Sequence, residues 1–119
     1  MSRIHEALTD LRAVSGVKGA AVLTQDGLVA AASLDNADSA ETLAGIASWL
    51  LMTTVKILRD GGMGGMHRLV VQATHGKAVL IDLQESCLVV MLDQFTDVDQ
   101  AAAEIDEAAL RIRRASRVR

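Results

Sequence analysis

Apolar residues recur along this chain at two spacings, and the points where one spacing gives way to the other mark out its elements. Ile4, Leu8 and Leu11 fall three and four apart with His5, Glu6, Asp10 and Arg12 between them, which predicts a helix over 2–14 that Gly16 ends. GVKGAAVLTQDGLVAAAS (16–33) then places two β-prone runs around Gln25-Asp26-Gly27, and Asp-Gly is a strong hairpin signal. The polar stretch LDNADSAETL leads into a second helix, with Asp38 as N-cap and Glu41 three residues on, running to about Asp60. Three strand-like runs follow at 66–74, 77–84 and 87–94, divided by His75-Gly76 and Glu85-Ser86. Links this short join antiparallel neighbours, and the nearly continuous apolar content predicts a sheet covered on both faces. Thr96 is placed to cap a last helix with Val98, Ala101, Ala102, Ile105, Ala108, Ala109 and Ile112 along one stripe. The predicted order is α-β-β-α-β-β-β-α: an α+β fold with a five-stranded antiparallel sheet, the central helix on one face and the terminal helices on the other.

The central helix has more apolar surface than a sheet can cover. On a helical wheel, Ile46, Ile57, Leu50, Leu43, Ala47, Leu58, Leu51, Ala44 and Val55 fill one half, which is expected to face the sheet. The other half carries Gly45, Ser48, Trp49, Met52 and Thr53, with Lys56, Arg59 and Asp60 gathered at the C-terminal end. A helix facing only water would be charged there. Burying a tryptophan removes 150–250 Å², worth roughly 4–6 kcal/mol as an upper limit. Gly45 costs about 1 kcal/mol relative to alanine within a helix, a cost that close approach of another backbone would offset. This half is therefore expected to meet a second chain.

Composition narrows the function classes. The chain has 119 residues, half of them hydrophobic, and no proline, which suits one compact domain. Trp49 and Phe95 are its only aromatic residues, too few for base stacking. Residues 1–110 carry seven Lys/Arg against fifteen Asp/Glu, whereas RIRRASRVR (111–119) carries five arginines and no acid. An acidic body repels nucleic acid, and the arginines suit a helix C-terminus, where the dipole is negative. The division expected is a domain over 1–114 and a basic tail over 115–119. Cys87 stands alone within SCLVVML and reads as a core thiol. The longest uncharged run, Thr42–Val55, has 14 residues, short of the roughly 20 that span a membrane. The charged N-terminus MSRIHEAL does not suit a signal peptide, so a cytoplasmic protein without membrane insertion is expected.

The motifs that would carry chemistry fail on inspection. GGMGG (61–65) follows a helix and precedes a strand, the reverse of the strand–turn–helix order that aims amides at a phosphate. It lacks the ending of a nucleotide-binding loop and reads as a helix stop, with Gly61 or Gly62 as the left-handed cap and Met63 and Met66 anchoring the turn. HEALT (5–9) has threonine where a zinc-binding HExxH needs its second histidine, and His67 and His75 stand at opposite ends of one strand. No catalytic residue, cofactor site or metal site is expected.

Taken together, LRAVSGVKGAAVLTQDGLVAAAS (11–33), the apolar helix, the glycine turn and HRLVVQATHGKAVLIDL (67–83) resemble the Roadblock/LC7 domain family of the stand-alone bacterial type, whose gliding-motility member regulates a GTPase. The likeness spans about residues 3–114. It implies a roadblock/profilin-like fold that dimerises by packing its central helices together and pairing its third strands edge to edge. It implies no chemistry, but regulation or scaffolding of Ras-like small GTPases. Carried onto this chain, the dimer or partner interface is Gly45, Ser48, Trp49, Met52 and Lys56 on the helix and His67, Arg68, Leu69, Val70 and Val71 on the strand 67–73. Two other readings compete: a dimerisation scaffold in a sensor-kinase module, and a small-ligand sensor with a pocket between sheet and helix.

Overall fold

The computed structural model of the protein describes residues 3–34 and 37–117. The elements follow the expected order: α1 (Arg3–Arg12), β1 (Val17–Thr24), β2 (Val29–Ser33), α2 (Ala37–Asp60), β3 (Leu69–Ala73), β4 (Gly76–Asp82), β5 (Ser86–Asp93) and α3 (Val98–Arg117). The strands form one antiparallel sheet in the order β2-β1-β5-β4-β3, so β2 and β3 are its outer strands.

Register explains how two faces are covered by nearly unbroken apolar runs. Val90 of β5 lies opposite Ala20 of β1 and Val79 of β4, and Leu88 lies opposite Val22 and Ile81. These residues share one face with Leu8 and Leu11 of α1 and Ile105 and Ile112 of α3. Val89 and Cys87, with Ala21, Leu23 and Leu80, point the other way and meet Ala44, Ala47 and Leu51 of α2. A slip of one residue would exchange the two sets, so the register is fixed wherever the layers differ in shape. The terminal helices thus cover one face and α2 the other.

The ends of the elements follow local chemistry. α2 stops in a Schellman motif: Gly62, with φ 74°, donates to the Arg59 carbonyl at 3.1 Å and Met63 to the Leu58 carbonyl at 2.9 Å. Met66 then packs half-buried on the α2 layer, whereas Met63 is mostly exposed, with its Cε 3.1 Å from where a Cβ on Gly61 would lie. α2 begins at Ala37, so Asp38 is inside the helix; the side-chain bonds expected of Asp38 and Glu41 lie outside the described residues.

Thr96 does not cap α3. Its hydroxyl donates to Asp93 Oδ1 at 2.7 Å, and Asp97 caps instead, accepting from the Asp99 amide at 3.0 Å. Asp93 Oδ1 also accepts from the amides of Phe95 and Thr96 at 2.9 and 2.8 Å. The Thr96 hydroxyl above all, then these amides and the nearby Lys18, hold the Asp93 carboxyl below its ordinary range. The preceding turn is closed from the far side by Gly16, at φ 90°, whose carbonyl accepts from the Asp93 amide at 2.9 Å.

Candidate interaction surface

Among the described residues, the outside of α2 carries four exposed large apolar side chains. Trp49 is 67% exposed, Ile46 and Met52 61% and Ile57 59%. The wheel is turned by about 50° from the orientation its apolar content suggests. Ile46 and Ile57, expected against the sheet, face outward, and Ser48, expected outside, is 7% exposed. The cause is size. Ala44, Ala47 and Ser48 let the helix sit close to the β1–β2 hairpin, where a Cβ placed on Gly27 would lie 3.8 Å from both the Gly45 Cα and the Ser48 Cβ. Bulky side chains on that arc would hold the layers apart. The Ser48 hydroxyl points to the Thr24 carbonyl at 3.4 Å.

Gly45 sits on the exposed arc, and a Cβ there would have nothing within 4 Å. Nothing described in its own chain therefore requires glycine at this position. Lys56 is also outside and pairs with Asp60 at 2.9 Å, an exposed contact worth a few tenths of a kcal/mol.

β3 is shorter than expected. It begins at Leu69, so His67 and Arg68 precede the strand. Arg68 Nη2 reaches both carboxylate oxygens of Asp106 on α3, at 2.9 and 3.0 Å, which ties the entry of the strand to the opposite layer. Pairing runs from Leu69 opposite Leu80 to Ala73 opposite Gly76, leaving the other edge of β3 without a strand neighbour. Leu69 is half-buried, while Val70 and Val71 are exposed on opposite faces of that edge. The structure thus brings Gly45, Trp49, Met52 and Lys56 onto one outward face, Val70 and Val71 onto an open edge, and turns Ser48 and Arg68 to their own chain.

Where the C-terminal half of α2 stands off the sheet, a cleft of roughly 510 Å³ opens above Leu51, Val55 and Cys87. Its walls carry Lys56 and Arg59 on one side and Asp82 on the other, charges of both signs. The Gln25 side chain closes one end by donating to the Gln84 carbonyl. Burial, reinforced by Asp82, pushes the Cys87 thiol up to about 12, so it stays protonated and unreactive at neutral pH. Among the described residues no group of three or more His, Cys, Asp or Glu could hold a metal ion, and no helix is long and apolar enough to cross a membrane.

Sequence reasoning passed over Phe95, at 86% the most exposed large apolar side chain among the described residues, and Leu28 at the hairpin turn. A single aromatic in a polar loop gives no periodic signal.

The sequence profile of the Roadblock/LC7 domain matches residues 3–92. A Roadblock/LC7 domain from Streptomyces avermitilis superposes with a TM-score of 0.88 at 22% identity, covering 96% of this chain and 98% of that one. The gliding protein MglB of Thermus thermophilus gives a TM-score of 0.85 at 17% identity, covering 95% and 87%. An uncharacterized protein of Methanocaldococcus jannaschii is 30% identical over 94% of this chain and 95% of its own length. Sequence profile, relatives and fold agree: the chain belongs to the Roadblock/LC7 domain family.

Proposed function

We propose that this protein is a non-catalytic, cytoplasmic homodimer that regulates or scaffolds a Ras-like small GTPase. The observation that carries the reading is the outward face of α2. Covering Ile46, Trp49, Met52 and Ile57 would remove on the order of 500 Å² of surface per chain, more than half of what a stable interface buries on each partner. The open edge of β3, with Val70 and Val71, supplies the remainder, and pairing it would remove an exposed strand edge that otherwise invites aggregation. Gly45 is the point of closest helix approach. A two-fold arrangement repeats each of these contacts, as a homodimer requires. The family to which the chain belongs supports the GTPase as partner; neither nucleic acid nor membrane insertion enters the reading.

Two measurements test the two halves of this proposal. Sedimentation equilibrium should return a dimer, weakened by about 2–4 kcal/mol in Trp49→Ala; a monomer at all accessible concentrations would sink the homodimer. A Ras-like GTPase from the same genome should bind the wild-type dimer in one nucleotide state in preference to the other. Equal binding in both states, or none, would remove the regulatory half and leave the dimer standing.

A further inference from the structure

A second surface, on the opposite side of the molecule from α2, has the features of a recognition site. Between α1 and α3 runs an open trough made of two connected hollows of roughly 600 and 140 Å³ that share Val14 and Glu104. Its floor is apolar, with Leu11, Ala101 and Ala108. Its rim carries the carboxylates Asp93, Glu104, Glu107 and Asp10; of the nearby cations, Arg111 is committed to Asp10 at 2.9 Å, Lys77 to the Thr96 carbonyl, and Lys18 lies near Asp93. Among the described residues, Glu104 and Glu107 have no ion-pair partner within 4.0 Å. At the mouth stands Phe95, exposed yet held by a rigid turn: Asp93 binds its amide, and Lys77 donates to the Thr96 carbonyl at 2.6 Å. An exposed aromatic ring beside carboxylates over an apolar floor is a combination that recognises guanidinium groups, through ring stacking and charge together.

The same chain carries a matching group. Its last nine residues hold five arginines and no acid. Arg111 lines the trough of its own chain, paired with Asp10, but beyond it α3 continues unbroken to Arg117 and leads away from the trough toward the β4–β5 turn, where Arg113 contacts the Asp82 carbonyl at 3.4 Å. From Glu104 to Arg117 this is about 20 Å of helix. We infer that the trough between α1 and α3 receives the arginine-rich C-terminal end of a second copy, joining molecules head to tail. Such a contact uses different surfaces on the two molecules, so it links them into rings or open chains and adds to whatever the α2 face assembles.

The test uses the full-length protein and a fluorescein-labelled synthetic peptide of residues 108–119. The peptide should bind in about 0.02 M salt and lose most of its affinity in about 0.5 M salt. The double variant Glu104→Gln/Glu107→Gln should weaken it about tenfold and Phe95→Ala several-fold, with thermal unfolding unchanged because all three side chains are exposed. Light scattering of the full-length protein should show salt-reversible growth that the double variant abolishes and Trp49→Ala does not. No peptide binding, or binding indifferent to the double variant, would overturn the trough as the site. Peptide binding without self-association of the intact protein would overturn the second copy as its occupant.

Discussion

Gly16 and Gly45 are both glycines in helix-to-sheet surroundings, for opposite reasons. Gly16 has φ 90°, and a Cβ there would collide with the Thr96 side chain, so the residue joins the α1–β1 turn to the β5–α3 turn. Gly16→Ala combines a left-handed backbone cost with overpacking and is expected to destabilise by roughly 2–4 kcal/mol in urea titrations. A loss below about 0.5 kcal/mol would mean that the turn yields freely. Cys87 permits a test by pH. Its thiol is raised from 9.0 to about 12 in the folded protein, so the folded state keeps a proton that the unfolded chain gives up. Its stabilising contribution is whole below about pH 9 and is lost as pH rises toward about 12, at up to about 1.4 kcal/mol per pH unit. Cys87→Ala should flatten the alkaline limb of stability against pH; an unaltered limb would show that the thiol titrates normally.

At the scale of elements, α2 is where sequence and structure part company most. The order of elements and the hairpins were legible because short turns bound each strand run, and the α3 stripe because it has one apolar face and a plain period: Ala101, Ile105, Ala108, Ala109 and Ile112 are all buried as their spacing implies. α2 has apolar residues nearly all round, so its wheel has no charged arc to mark the outside, and small residues rather than large ones decided which side met the sheet. The cap of α3 was misread because Thr96 and Asp97 are both competent and Asp93 had already taken the Thr96 hydroxyl. β3 starts late because Arg68 is drawn to Asp106, a contact between residues far apart in sequence that no local pattern records. Gly45→Ala separates the two roles of α2. With open space around its Cβ, the substitution should raise the stability of the isolated chain by about 1 kcal/mol through helix propensity. If α2 packs closely on a second copy, the same change should weaken association measured by sedimentation. Gains in both would show that no backbone approaches there.

The whole molecule is asymmetric in two respects. Its charge is divided, with an acidic body and an arginine-rich end, so assembly through the trough should depend steeply on salt, whereas assembly through the α2 face should persist in it. Its layers are also unequal. α1 and α3 pack on each other as well as on the sheet and enclose the larger core, while α2 touches the sheet mainly at the β1–β2 end and stands clear of it over the cleft.

That clearance has a consequence for the order in which the molecule opens. An element held by fewer buried contacts detaches at lower free energy than the rest, so the amides at the C-terminal end of α2, around Val55 and Leu58, should exchange with deuterium well before those of β5 and α3. A partner that grips the outer face of α2 would then be visible as a slowing of exchange confined to one helix. The least secure layer of the fold would act as its reporter of occupancy.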